Sequence, residues 1–154
     1  MEKMRLWQPL KMKVKIIAAL LLFVNYTYAQ NSIRVAKVIS VYDGDTFKVD
    51  LECDCEMDIV CKNISIRVLG IDAPEIRGGG CEKEKQLATK ARDFAKAFLS
   101  QGEVRLQNID RGKYFRILAD VFVNGKSLSK ELVKRELAVP YDGGTKIKDW
   151  CATE

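Results

Sequence analysis

The chain of 154 residues contains no histidine. This absence excludes the Ser-His-Asp and Cys-His machinery of many hydrolases, and it excludes histidine as a general base. Any acid–base chemistry in this protein must therefore use carboxylates, arginines, lysines, tyrosines or a bound metal ion.

Long apolar runs are also absent, because the longest, "IIAALLLFV", has only nine residues and is too short to span a bilayer comfortably. The basic stretch "MEKMRLWQPLKMKVK" precedes it, and "NYTYA" follows with the small residues Thr27 and Ala29. This order predicts a signal peptide over residues 1–29, cleaved after Ala29, and a single domain over residues 30–154. We therefore expect export, to the periplasm or the medium; an N-terminal membrane anchor is the alternative.

A strong excess of charge is lacking once the leader is set aside. The whole chain has 26 basic and 21 acidic residues, of which the leader holds five and one, so the remainder carries a net charge of +1. No overall basic field attracts polyanions, and nucleic-acid binding would have to come from local clusters of charge.

Cysteine is present, and all five copies follow the predicted leader. In an exported protein they favour two disulfides with one thiol left over, although the sequence does not choose the pairing. A zinc site built on the Cys-x-Cys pair is the competing interpretation. The cysteines are Cys53, Cys55, Cys61, Cys81 and Cys151.

Hydrophobic periodicity predicts three strands, a helix, two further strands and a short helix. This order favours a small α+β protein: a five-stranded barrel of the OB type with two to three short helices. The predicted strands are Ile33–Tyr42, Thr46 to about Met57, Asn63–Leu69, Glu103–Ile109 and Phe115–Val123, and the predicted helices are Glu82–Gln101 and Ser127–Leu137. Residues 70–80 and the tail from Val139 are predicted to be loops.

Acidic residues occur in two unusual places. Five of them alternate from Asp50 to Asp58 along the second predicted strand. A solvated outer face is favoured for this row over a calcium site, because ligands on one flat face do not wrap an ion. The segment "VYDGDTFKV" places Asp43 and Asp45 around Gly44. It is either a plain turn or a pair of carboxylates held for a metal ion.

Further charged residues lie near predicted strand ends. Asp72 and Glu75 belong to "IDAPE" after the third strand, Arg67 lies on that strand, and Arg116 begins the fifth. Carboxylates suit a hard cation such as Ca²⁺, and guanidinium groups clamp phosphate oxygens in a bidentate way. Together with Asp45, these residues predict metal-assisted hydrolysis of phosphodiesters.

Four segments in this order resemble the staphylococcal nuclease (thermonuclease-like) family: "VISVYDGDTFKV", "IRVLGIDAPE", "RGKYFRILADVFVNGKSLSKELV" and "ELAVPY". Each is weak alone, but the ordered set is specific. The resemblance implies an OB barrel with helices, and it implies that the carboxylates of Asp45 and Asp72 and the main-chain carbonyl of Ala73 ligate Ca²⁺. Asp43 matches an acid behind these ligands.

The resemblance also implies roles on the substrate side of the site. Glu75 matches the proposed general base for the attacking water. Arg67 and Arg116 match arginines that bind the scissile phosphate and stabilise the transition state. Tyr114 and Tyr141 match tyrosines near the bound nucleotide.

The implied activity is that of an exported, monomeric, Ca²⁺-dependent endonuclease. It would cleave DNA and RNA with little sequence specificity, prefer single or easily opened strands, and leave 3′-phosphate and 5′-hydroxyl ends. A non-catalytic OB module that binds single strands or protein is the main alternative, and a disulfide-stapled structural protein is another. The chain departs from the family at Ala73, where threonine is frequent, and at Phe115, where glycine is common.

Overall fold

The structure is a computed structural model that describes residues 32–53 and 58–152. The predicted leader lies outside the described residues, and the elements below belong to the unit that begins at Ile33. No helix in the described part of the chain is long and apolar enough to cross a bilayer.

The described chain forms eight strands and two α-helices. In chain order they are β1 (Ile33–Val41), β2 (Thr46–Leu51), β3 (Ile64–Val68), β4 (Ile71–Asp72), α1 (Glu82–Leu99), β5 (Val104–Arg111), β6 (Ile117–Val123), β7 (Lys126–Ser127), α2 (Leu128–Lys134) and β8 (Val139–Pro140). Two short 3₁₀ helices, Asp58–Val60 and Lys113–Phe115, lie in connections.

Five of the strands close into a mixed barrel. β1 pairs antiparallel with both β2 and β5, β2 pairs with β3, and β5 pairs with β6. A parallel pairing of β3 with β6 completes the ring. This is the predicted OB-type fold, which is confirmed, with two α-helices packed on the barrel.

Alternation along the strands explains which side chains fill the barrel, because successive residues of a strand point to opposite faces. On β2, Phe47 and Val49 are fully buried while the intervening Lys48 is exposed. Ala119 and Val121 of β6 are buried in the same way.

Helix α1 covers the barrel with a stripe of small side chains. Ala88, Ala91 and Ala95 are fully buried on it, followed by Phe98. Small side chains let the helix approach the barrel closely, which matters for the turn described below.

Strand β2 ends at Leu51 rather than continuing to about Met57, so that prediction was wrong in length. A loop turns the chain back instead: Leu51 N donates to the Cys61 carbonyl at 2.8 Å, and Cys53 and Cys61 form a disulfide. Of the acidic row, β2 therefore includes Asp50, whereas Glu52 lies beyond its end. Residues 54–57 lie outside the described residues.

A second disulfide joins Cys81, at the start of α1, to Cys151, across 70 residues of sequence. The prediction of two disulfides is confirmed, and these four cysteines have no thiolate to offer zinc. The fifth, Cys55, lies outside the described residues.

Two short strands that the sequence had suggested to be loop pair with each other. In this small antiparallel sheet Asp72 on β4 lies opposite Val139 on β8. Tyr141 N extends it by donating to the Gly70 carbonyl at 3.0 Å. The pairing fixes the backbone at the start of the "IDAPE" segment.

Candidate active site

The Asp43–Asp45 turn joins β1 to β2 and lies under α1. Asp45 N donates to Oδ1 of Asp43 at 3.2 Å, so the first aspartate holds the turn that presents the second. Gly44 is required by space: a Cβ atom there would lie 3.1 Å from the Cβ of Ala73 and closer still to Ala91. The segment is therefore both a turn and the carrier of a buried carboxylate.

Asp45 is fully buried, and both its oxygens accept hydrogen bonds. Oδ1 accepts from the Thr46 hydroxyl at 2.9 Å and from the guanidinium of Arg67, and Oδ2 accepts from Ala73 N at 2.9 Å. Burial raises the pKa of Asp45 from 3.8 to about 7, against the opposing effect of Arg67. The negative charge on this carboxylate is therefore incompletely compensated by the protein.

Arg67 joins the two predicted metal-ligating acids. The strand register pairs it with Thr46, which brings its guanidinium to Asp45. Its second terminal nitrogen lies 3.3 Å from Oδ1 of Asp72 and 3.4 Å from the Ile71 carbonyl. Arg67 thus holds together side chains from two motifs that are 27 positions apart, although in this arrangement it binds carboxylates and not phosphate.

Glu75 lies at the edge of this group and is about half exposed, at 48%. Its own backbone is held by Glu84, whose carboxylate accepts from Glu75 N at 3.2 Å and from Gly80 N at 2.7 Å. Sequence analysis missed Glu84. The detectable pattern was a capping box, since Glu84 is three residues after the helix N-cap Cys81.

The glycine run between Glu75 and α1 has a steric reason. Gly78 has a φ of +92°, and a Cβ on Gly79 would lie 2.5 Å from the Glu75 carbonyl oxygen. This loop therefore folds back tightly on Glu75.

Arg116 lies one residue before β6. Because Ile117 pairs with Ile66, Arg116 lies beside β3, the strand that carries Arg67. Arg67 and Arg116 each neighbour one of these paired isoleucines in sequence, so both arginines lie on the face of the sheet opposite the isoleucines. Its Nε is the buried side-chain N or O atom that has no hydrogen-bond partner within the described residues. A buried donor without an acceptor is costly, so this one suits an anionic ligand such as phosphate.

The two predicted substrate tyrosines occupy different surroundings. Tyr114 is 84% exposed on the β5–β6 connection, with the Arg116 guanidinium 6.0 Å from its ring centre. Tyr141 follows β8, and its hydroxyl donates to the Gly144 carbonyl at 2.6 Å. Tyr114 therefore lies next to Arg116, whereas the Tyr141 hydroxyl is already hydrogen-bonded to a backbone carbonyl.

Lys146 is a second residue that sequence analysis missed. Its Nζ lies 2.8 Å from Oδ1 of Asp72 and 2.8 Å from Oε1 of Glu75. Burial lowers the pKa of Lys146, but the hydrogen bonds that its ammonium donates to Asp72 and Glu75, together with the negative charges of these carboxylates, outweigh this effect and raise the pKa above its ordinary value. Nothing in the local sequence of the tail indicated this contact.

The donor set fits a hard divalent cation in its chemistry. Asp45 and Asp72 are buried carboxylates, and carboxylate oxygens are ligands of hard divalent cations. Arg67 contacts Asp45 and Lys146 contacts Asp72, so each carboxylate is already paired with a positive group. Among residues 32–53 and 58–152, no group of three or more acidic, histidine or cysteine side chains is arranged around one point. Any further ligands would therefore come from the main chain, as predicted for Ala73, or from water.

Comparison with known proteins identifies the family. The model of the staphylococcal nuclease homologue family matches residues 65–149, more than half of the chain. A Haemophilus influenzae protein named "Uncharacterized endonuclease" is 27% identical over 84% of this chain and 65% of its own length. A Penicillium rubens protein named a "Probable endonuclease" is 28% identical over 77% of this chain and 49% of its own length.

A Schizosaccharomyces pombe protein, also named a "Probable endonuclease", is 30% identical over 63% of this chain and 44% of its own length. The chain thus spans between two fifths and two thirds of these three relatives. The family match covers Arg67, Asp72, Glu75 and Arg116, and Asp45 lies before it. With the closed barrel and the Asp45–Arg67–Asp72 group, these matches show that the chain belongs to the staphylococcal nuclease homologue family.

Proposed function

We propose that the protein is a Ca²⁺-dependent endonuclease that hydrolyses phosphodiester bonds in DNA and RNA with little sequence specificity. The observation that carries this proposal is the meeting of Asp45 and Asp72 at Arg67, because it gathers buried carboxylates and a guanidinium at one place. The names of the matched relatives support the same class of activity.

Asp45, Asp72 and the carbonyl of Ala73 would hold the ion. Ca²⁺, when bound, would offset negative charge on the phosphate and on the attacking water. The raised pKa of Asp45 supports this assignment, since the carboxylate is buried with too little compensating charge in the protein alone. Asp43 would act indirectly, by holding the turn that presents Asp45.

Glu75 and the two arginines would act on the substrate. Glu75 is half exposed, so water can reach its carboxylate, which would accept the proton of the attacking water. Arg116 offers an unpaired buried Nε to a phosphate oxygen, and Arg67 would share its donors between the acids and the phosphate. Water would attack the phosphorus and the bond from phosphorus to the 5′ oxygen would break. The products would then carry a 3′-phosphate and a 5′-hydroxyl, as the family resemblance implies.

Substrate preference would follow from the exposed rings. Tyr114 is 84% and Phe115 is 95% exposed, next to Arg116, and both can stack on unpaired bases. Phosphate contacts carry little sequence information, so single strands of any sequence would be accepted. Tyr141 would lie at the opposite end of the site, after β8.

Export is part of the proposal. The basic, apolar and small-residue zones of residues 1–29 support a cleaved signal peptide, and the two disulfides support an oxidising destination such as the periplasm or the medium. The mature protein would act as a monomer without a membrane anchor.

The proposal is tested with purified residues 30–154 and end-labelled oligonucleotides of DNA and RNA. We expect cleavage with Ca²⁺, none with excess chelator, and strongly reduced cleavage by Asp72→Asn. Lys48→Gln, on the exposed face of β2, is the control and should cleave at the wild-type rate. Tight binding of oligonucleotide without any product would instead indicate the non-catalytic binding module, and full activity in chelator would refute the metal requirement.

A further inference from the structure

The chain after Tyr141 runs across the candidate site and is fixed near both ends. We call residues 142–152 the C-terminal strap. At its start, Tyr141 N donates to the Gly70 carbonyl at 3.0 Å, and the Tyr141 hydroxyl donates to the Gly144 carbonyl at 2.6 Å. At its end, Cys151 is joined to Cys81, and Lys83 Nζ donates to the Ala152 carbonyl at 2.6 Å. The strap has no regular secondary structure, so these anchors determine where its middle lies.

The strap forms one wall of a cavity of about 320 Å³ whose other lining includes the predicted metal ligand Asp72 and the predicted general base Glu75. Asp72, Glu75 and Glu84 contribute from the barrel side, and Lys148 and Trp150 contribute from the strap. A tail that carries basic residues is therefore held directly over acidic ones. None of the strap residues belongs to the cluster of buried hydrophobic side chains that forms the core.

The central contact is made by Lys146. Its Nζ bridges Oδ1 of Asp72 and Oε1 of Glu75, at 2.8 Å from each. Asp72 is only 3% exposed, and the same oxygen also accepts from Arg67 at 3.3 Å. Lys146 thus pairs with one proposed metal ligand, Asp72, and with the proposed general base, Glu75.

We propose that Lys146 is a tethered cation that competes with the divalent ion for the Asp72 carboxylate and must be displaced before the ion binds. The inference rests on the proposed metal site. It follows from geometry: the oxygen that would ligate the ion already accepts from Lys146, and two cations a few ångströms apart repel strongly in a partly buried site. Lys146 therefore lowers the affinity for Ca²⁺ and keeps the acids paired in the metal-free protein.

The disulfide sets the strength of this competition. A tethered group acts at an effective concentration fixed by the length and stiffness of its tether. With Cys81 and Cys151 joined, Lys146 is confined near Asp72. Without that bond the C-terminal end of the strap is held by the Lys83–Ala152 hydrogen bond and no longer by a covalent bond, and the effective concentration of Lys146 near Asp72 falls. Opening the disulfide should therefore have the same direction of effect as removing the ammonium group.

The experiment measures Ca²⁺ affinity by isothermal titration calorimetry, with no nucleic acid present. The variants are Lys146→Gln, Lys148→Gln and the double variant Cys81→Ser/Cys151→Ser. We expect Lys146→Gln to bind Ca²⁺ roughly two- to fivefold more tightly than wild type, the range set by a half-exposed ion pair. Lys148→Gln is the matched control: Lys148 lines the same cavity, but its Nζ lies 5.6 Å from the centre of the Trp150 ring, and the affinity should stay unchanged.

The double cysteine variant should also bind Ca²⁺ more tightly than wild type, and adding Lys146→Gln to it should give little further gain. Equal or weaker binding by Lys146→Gln would overturn the proposal, as would an equal gain from Lys148→Gln. Asp72→Asn separates the two levels of inference. If it weakens Ca²⁺ binding while Lys146→Gln does not tighten it, only the tethered cation is wrong; if it leaves the affinity of wild type unchanged, the metal site itself is wrong and both proposals fail.

Discussion

A Cβ atom placed on Gly44 would lie 2.8 Å from the Cβ atom of Ala91 on α1, closer than two such atoms come in folded proteins. The aspartate turn and the helix therefore share one tightly packed contact. The position of Asp45, the fully buried carboxylate that follows Gly44, depends on it.

Gly44→Ala should lower the free energy of unfolding by about 1–3 kcal/mol, because the added methyl group overpacks the contact. It should also weaken Ca²⁺ binding by displacing Asp45. The measurement is chemical denaturation together with calcium titration. The control combines Gly44→Ala with Ala91→Gly, which makes room for the added methyl group. The double variant should lose less stability than the sum of the two single variants, even though glycine lowers helix stability. Strict additivity of the two losses would contradict the contact.

A second prediction concerns Phe115, which has a φ of +59° and is 95% exposed. A non-glycine residue in this left-handed region is strained, whereas glycine is not. Phe115→Gly should therefore be more stable than Phe115→Ala by about 1 kcal/mol, as measured by chemical denaturation, because both remove the ring but only glycine removes the strain. Equal stability of the two variants would show that the turn is unstrained.

The pH dependence of stability follows from Asp45. Burial raises its pKa from 3.8 to about 7, so the folded state holds this proton more tightly than the unfolded state. The contribution is stabilising below pH 3.8 and is lost as pH rises through about 7. Ca²⁺ needs the ionised carboxylate, so the rise in melting temperature caused by Ca²⁺ should grow between about pH 5 and 8.

The check is a series of thermal unfolding curves across that pH range, with and without Ca²⁺. In Asp45→Asn the metal-free curves should lack the loss of stability near pH 7, because the amide does not ionise. A calcium-induced shift that is constant with pH would contradict the assignment of Asp45 as a buried ligand.

Much of the fold followed from local sequence patterns. Hydrophobic periodicity predicted a strand from Thr46, and the alternating burial of β2 is the pattern expected of a strand, although β2 ends at Leu51. The family resemblance implied one metal site for Asp45 and Asp72 and a phosphate contact for Arg67; the structure brings the three side chains together, with Arg67 on the carboxylates. These features depend on neighbours that are close in sequence or joined by long, regular strands.

The remaining features depend on contacts between distant residues that leave no periodic pattern. The β4–β8 pairing uses two residues from each strand, too few to show an alternation. Lys146 contacts Asp72 from a tail that the Cys81–Cys151 bond anchors, and the pairing of cysteines cannot be derived from their spacing. A two-residue strand and the partner of a cysteine are determined by tertiary contacts, so they could not be predicted from local sequence.

Export gives a prediction of its own. Expression of the full chain in a secreting bacterial host should yield a protein that begins at Gln30, because Thr27 and Ala29 are the small residues that a signal peptidase recognises. Intact-mass spectrometry with and without reduction should show the mass difference of two disulfides, as expected from Cys53–Cys61 and Cys81–Cys151. A retained leader would refute the predicted cleavage, and four free thiols among these cysteines would refute the pairing.

The central claim is that this site cleaves phosphodiesters with Arg116 acting in the transition state. The most direct measurement is single-turnover cleavage of a short labelled oligonucleotide in Ca²⁺ by wild type, Arg116→Lys and the control Arg111→Lys, followed by end-group analysis of the products. Arg111 is an exposed residue at the end of β5 and should tolerate lysine. Arg116→Lys should keep oligonucleotide binding but lose about 3–4 kcal/mol of transition-state stabilisation, a rate loss of two to three orders of magnitude, because lysine keeps the charge and loses the bidentate geometry. The account predicts this loss together with 3′-phosphate and 5′-hydroxyl ends; a near-wild-type rate for Arg116→Lys, or products with 5′-phosphate ends, would contradict it.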